Sequence, residues 1–147
     1  MSFSRLTNLL VFCLLSGAAF LAIACSMPNL EKPVCTDARS AASRFYGFHF
    51  GGDMTFSQAN LTAREKFLTP EFYRSLQTRT DAGDVFTTGT ADVPKAFRVG
   101  ECESTSDDQA RVQIVFFWRD TTRSEQRVIH AEMLKRNGEW LIDKILN

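Results

Sequence analysis

Asn137-Gly138 lies between two runs of strand-forming residues, 127–135 and 139–146. An Asn-Gly pair suits a two-residue hairpin turn because both turn positions need φ > 0. Such a turn fixes the register, and a one-residue slip would exchange the two faces of the strand. Counting outward pairs Arg136 with Glu139, Lys135 with Trp140, Leu134 with Leu141 and Met133 with Ile142. The count continues with Glu132 opposite Asp143, Ala131 opposite Lys144, His130 opposite Ile145 and Ile129 opposite Leu146. One face then carries Ile129, Met133, Trp140, Ile142 and Leu146, and this face is expected to lie under helices. The other carries Val128, His130, Glu132, Leu134, Leu141, Asp143 and Ile145.

Two more strands precede this hairpin. Residues 111–119 (RVQIVFFWR) are β-branched and aromatic, which suits a pleated, half-buried surface. Val112, Ile114, Phe116 and Trp118 share one face, and Val115 and Phe117 the other. A strand apolar on both faces is usually central or covered twice. A polar stretch, 120–124, has hairpin length. Residues 96–103 (AFRVGECE) form the first long strand, and the four make a meander.

Helical signals fill the earlier part. Thr36 or Asp37 can cap a helix running to about His49. Ala38, Ala41, Ala42, Phe45 and then Phe48 or His49 form its apolar stripe. Gly51-Gly52 ends it, and His49 reads as a cap or surface residue. Thr62-x-x-Glu65 has the capping-box spacing for a short second helix. Pro70 suits the first position of a third, with Phe72 and Leu76 one turn apart. Val85-Phe86 reads as a short strand or a buried loop. Helices followed by a strand meander define an α+β domain, with N-terminal helices packed on a curved four-strand antiparallel sheet.

The first 24 residues stand apart. Arg5 sits in a short polar start, an apolar run extends from Leu9 to Ala24, and no acidic residue precedes Glu31. This is a secretory signal pattern, too short and too lightly flanked to favour a membrane-spanning helix. The run ends Leu21-Ala22-Ile23-Ala24-Cys25-Ser26, which resembles the lipobox of bacterial lipoproteins. That resemblance implies that Cys25 becomes the lipid-bearing first residue of the mature chain. Ser26 after it resembles an outer-membrane sorting signal. Residues 25–34, with two prolines, read as a tether, and 35–147 as the domain. Cys35 and Cys102 remain as an even pair in an oxidising compartment, able to form a disulfide if their Cα atoms come close enough.

The full chain has 17 basic and 17 acidic residues. Removing the leader removes Arg5 and no carboxylate, so acidic residues lead by one. A near-neutral surface without a basic stripe argues against nucleic acid as a partner.

The placed elements resemble the nuclear transport factor 2-like superfamily, and within it a family of uncharacterised bacterial envelope proteins and lipoproteins. The residues that carry the resemblance are Ala42-x-x-Phe45-Tyr46, Leu68-Thr69-Pro70-Glu71-Phe72, Asp84-Val85-Phe86, Phe97-Arg98-Val99-Gly100, Ala110-x-Val112-x-Ile114 and Trp140-x-Ile142. It covers about residues 36–146. In that superfamily the space under the sheet serves as an enzyme site, a ligand site, a dimer-forming face or plain core, so fold alone does not assign function.

His130, Glu132 and Asp143 form the one polar constellation that the register supplies. The two carboxylates would face each other at about 5 Å, which demands a cation, a shared proton or a nearby Arg. Tyr46 and Tyr73 sit on helices expected to face the sheet and could line a small pocket with them, or serve as core residues with satisfied hydroxyls. No HExxH, GxSxG, Walker loop, GxGxxG or paired CxxC occurs, and two histidines are too few for a His-rich zinc centre. No cofactor or metal is expected. The favoured function is a non-enzymatic, membrane-anchored lipoprotein on the periplasmic side of the bacterial envelope. It would bind an envelope protein or a second copy of itself. The alternatives are a small-molecule isomerase, dehydratase or hydrolase using the pocket under the sheet, or a periplasmic immunity or inhibitor protein.

Overall fold

The computed structural model describes residues 31–80 and 83–147. The expected signal segment, Cys25 and the expected tether up to residue 30 lie outside the described residues. Three helices pack on a four-strand antiparallel sheet of order β1-β2-β3-β4, an α+β fold. The helices are α1 (Pro33–Phe50), α2 (Gln58–Arg64) and α3 (Pro70–Gln77), with a 3₁₀ turn at Glu65–Phe67. The strands are β1 (Ala96–Ser104), β2 (Gln109–Arg119), β3 (Ser124–Arg136) and β4 (Glu139–Leu146).

Helix α1 starts earlier than its Thr36 and Asp37 signals suggest. Pro33 occupies its first turn, so Pro33 and Val34 belong to the helix rather than to the tether. Proline suits that position because its missing N–H would have no helical partner there. The Thr62 capping signal is also displaced. Ser57 caps α2 by accepting from Asn60 N, and Thr62 lies inside the helix, donating to Gln58 O. Thr69 caps α3 as its Pro70 predicts, accepting from Phe72 N. Val85-Phe86 is a buried turn rather than a strand, with Phe86 only 2% exposed.

The core lies between α1 and one face of the sheet. Ala38, Ala42, Phe45 and Tyr46 meet Val112, Ile114, Phe116, Ile129 and Ile142. The alanines bring the helix close. Tyr46 lies edge-on to Phe116 at 5.6 Å, and Phe50 stacks on Phe116 at 6.0 Å.

The hairpin register holds through its first four pairs, from Arg136↔Glu139 to Met133↔Ile142. Then it shifts. Glu132 pairs with Lys144, Ala131 with Ile145 and His130 with Leu146, because β4 inserts one extra residue, Asp143. The shift exchanges the faces beyond it. Ile145 now packs against the core and Leu146 sits opposite His130, the reverse of the even alternation. A second irregularity lies in β1, between Val99 and Cys102. Strict alternation from Val99 would turn Cys102 away from the core. The extra residue turns it inward, opposite Val112, where it meets the first turn of α1. Cys35 and Cys102 are bonded there, with S–S 2.07 Å and Cα–Cα 5.6 Å.

Candidate functional site

The proposed pocket of Tyr46, Tyr73, His130, Glu132 and Asp143 does not assemble. Tyr46 is fully buried in the core, and its hydroxyl donates to Phe86 O at 2.8 Å. Burial first, and the Asp84 charge second, push its pKa well above the ordinary tyrosine range. Tyr73 lies on α3, with its hydroxyl 3.4 Å from Thr62 Oγ1. His130 and Glu132 lie on the sheet face turned away from the core. Glu132 does not face Asp143, because the β4 bulge places Lys144 opposite it. It pairs with Arg111 instead, at 3.3 Å. Asp143, on the bulge, accepts from the Thr69 hydroxyl at 2.8 Å and so braces the cap of α3. Glu132, Arg111 and Asp143 border an open groove of about 280 Å³. Among the described residues no group of three or more His, Cys, Asp or Glu side chains could hold a metal ion. No described helix is long and apolar enough to cross a membrane.

The buried polar centre lies elsewhere, on the core side. His49 is 1% exposed, Arg64 4% and Asp84 5%. His49 is therefore neither a cap nor a surface residue. It takes the stripe position, stacking parallel to Phe45 at 5.6 Å, and leaves Phe48 exposed. Arg64 Nε donates to His49 Nδ1 at 2.8 Å. A guanidinium only donates, so Nδ1 accepts and the ring proton sits on Nε2. Nε2 donates to Asp84 Oδ2 at 2.9 Å. The same carboxylate accepts from Thr87 Oγ1 at 3.0 Å, and its other oxygen accepts from Phe86 N at 3.0 Å. Arg64 also donates from Nη1 to Asn60 O and from Nη2 to Asp53 O, both at 2.7 Å. Arg64 is held below the usual arginine pKa by burial, an effect opposed by the charges of Asp84 and Asp53.

This chain of bonds ties α1, α2 and the 84–90 turn together. Both imidazole nitrogens and all three guanidinium nitrogens have partners within the protein. The cavity beside it measures about 10 Å³, room for one water molecule at most. Sequence reasoning missed this site. The available signal was His49 itself, falling on the apolar stripe one turn after Phe45.

The rim of the site is set by Asp53. Thr55 N donates to Oδ1 at 2.9 Å, and Asn60 Nδ2 donates to Oδ2 at 3.0 Å. These bonds, the backbone one first, lower its pKa to about 2. A depressed carboxylate stabilises the fold above its unfolded pKa, and that contribution is lost as pH falls towards 2. Asn60→Ala is expected to raise the Asp53 pKa towards the ordinary carboxylate value. Carboxyl-carbon NMR titration of both proteins measures it; an unmoved midpoint would remove Asn60 from the account.

No protein-family model matches the chain, and no curated protein matches it. Among solved structures it is similar to a protein of unknown function from Bacteroides thetaiotaomicron, whose crystal structure was determined at 2.10 Å. The two are 21% identical with a TM-score of 0.54, over 78% of this chain and 92% of the other. At that identity the likeness carries the α+β fold and nothing about activity.

Proposed function

We propose that this chain is a lipid-anchored envelope protein with a nuclear transport factor 2-like domain, acting as a binding module rather than an enzyme. The observation that carries this reading is the outward face of the sheet. Val115 and Phe117 of β2 point to that face beside Val128 of β3, which is 45% exposed. The core helices pack on the opposite face. Of the three, Val115 is only 3% exposed, so Val128, on a central strand, supplies the exposed apolar surface of that face, and it is there that we place the docking of another protein. The saturated His49–Arg64–Asp84 chain supports the same choice, since an acid–base role would require one of its bonds to be given up. The Cys35–Cys102 disulfide is compatible with an oxidising compartment.

The test is crosslinking in intact cells followed by mass spectrometry, comparing wild type with Cys25→Ser and Val128→Asp. One envelope protein recovered with wild type, and lost in both variants, is the expected result. Partner recovery unaffected by Val128→Asp would remove the outward face from the proposal. Recovery of nothing specific would shift the reading towards a ligand or enzyme site.

A further inference from the structure

A cleft of about 650 Å³ opens where α1, the 3₁₀ turn and the β3–β4 hairpin border one another. Its walls carry Asp37 and Arg44 of α1, Lys66 and Phe67 of the 3₁₀ turn, and Glu139 and Trp140 of β4. The volume is that of a small-ligand site, and the lining sets two aromatic rings among charged and polar groups. Both signs of charge face it. A phosphate-like anion would be repelled by Asp37 and Glu139, and a simple cation by Arg44 and Lys66. A zwitterion suits both.

The charges are also separated. Asp37 and Arg44 are two helical turns apart, about 10 Å along α1. Lys66 Nζ stands 5.3 Å from the ring of Phe48, one turn beyond Arg44. The two cations therefore share one end of the cleft, and Asp37 marks the other. An extended chain advances about 3.3–3.6 Å per residue, so about three residues span that separation. Arg44 Nη1 donates to Ser40 Oγ at 3.0 Å on its own helix, which leaves further guanidinium N–H groups for a carboxylate. Trp140 is 8% exposed, and its indole N–H is buried without an acceptor among the described residues. Buried donors of that kind are rare and call for a partner.

We propose that this cleft binds a short peptide of about three residues with free termini. Its carboxylate lies at Arg44 and Lys66, its ammonium group towards Asp37, and an apolar middle residue against Phe67 and Trp140. The site is separate from the outward sheet face, so its failure and the failure of that docking surface are read by different experiments.

Equilibrium dialysis of the full chain against radiolabelled Ala-Phe-Ala tests it. Saturable binding is expected, with N-acetylation, C-amidation or Arg44→Gln each weakening it about tenfold, the size of one lost charge-assisted hydrogen bond. Free phenylalanine, too short to span the charges, and a longer peptide ending in Ala-Phe-Ala, which lacks the nearby ammonium group, are expected to bind comparably less well. Arg44 lies on an exposed helix flank, so its substitution leaves the core intact. The proposal is overturned if Ala-Phe-Ala shows no saturable binding. It is equally overturned if the capped or longer peptides bind as tightly, or if Arg44→Gln changes nothing.

Discussion

Asp84→Ala is expected to destabilise the protein by about 3–5 kcal/mol, the summed cost of leaving three buried donors without an acceptor. The change deprives His49 Nε2, Thr87 Oγ1 and Phe86 N of their shared acceptor, and it removes one of the two carboxylates, with Asp53, whose charges favour the Arg64 guanidinium. Because domains of this size are stable by only about 5–15 kcal/mol, such a loss takes a fifth or more of the total. Urea unfolding of the variant beside wild type measures it. Combining Asp84→Ala with Arg64→Met is expected to recover part of the loss, since the buried guanidinium that Asp84 favours is then gone as well. A loss below about 1 kcal/mol for the single variant would mean that solvent reaches these groups and the bonded chain is not maintained in solution.

The second large effect belongs to the disulfide. Cys35 and Cys102 are 67 residues apart in sequence, and closing a loop of that length in the unfolded chain is worth about 4 kcal/mol in the chain-entropy account. Replacing both cysteines by alanine is expected to lower stability by roughly that amount, and a reducing agent to do the same to wild type. Cys35 is also a core residue, 4% exposed, so the variant loses a little packing as well. An unchanged urea midpoint in reducing agent would show that the bridge does not constrain the chain.

The two effects act on different links. Asp84 works in the folded state, where low polarity makes its absence costly. The disulfide works mainly on the unfolded state, by restricting how far α1 can stray from β1. The double perturbation is therefore expected to be close to additive, because the groups share no partner.

The sequence alone determined what local chemistry controls. Asn137-Gly138 specified the last hairpin and its first four pairs, because a two-residue turn permits one register. Residues 111–119 announced a central strand, and Thr69-Pro70 announced the start of α3. The order of these elements set the α+β class. What the tertiary structure decided came from two single-residue insertions and one buried polar chain. The extra residue at Asp143 separated Glu132 from the carboxylate it was expected to face and sent Asp143 to the cap of α3. The extra residue between Val99 and Cys102 turned Cys102 inward to Cys35. Strand periodicity carries no mark of a bulge, since alternation reads the same until a partner strand fixes the count. The His49–Arg64–Asp84 chain was hidden for a different reason. Arg64 and Asp84 look like ordinary surface residues in sequence, and only His49 falls on an apolar stripe; packing from three separate segments removes the water that would otherwise satisfy them.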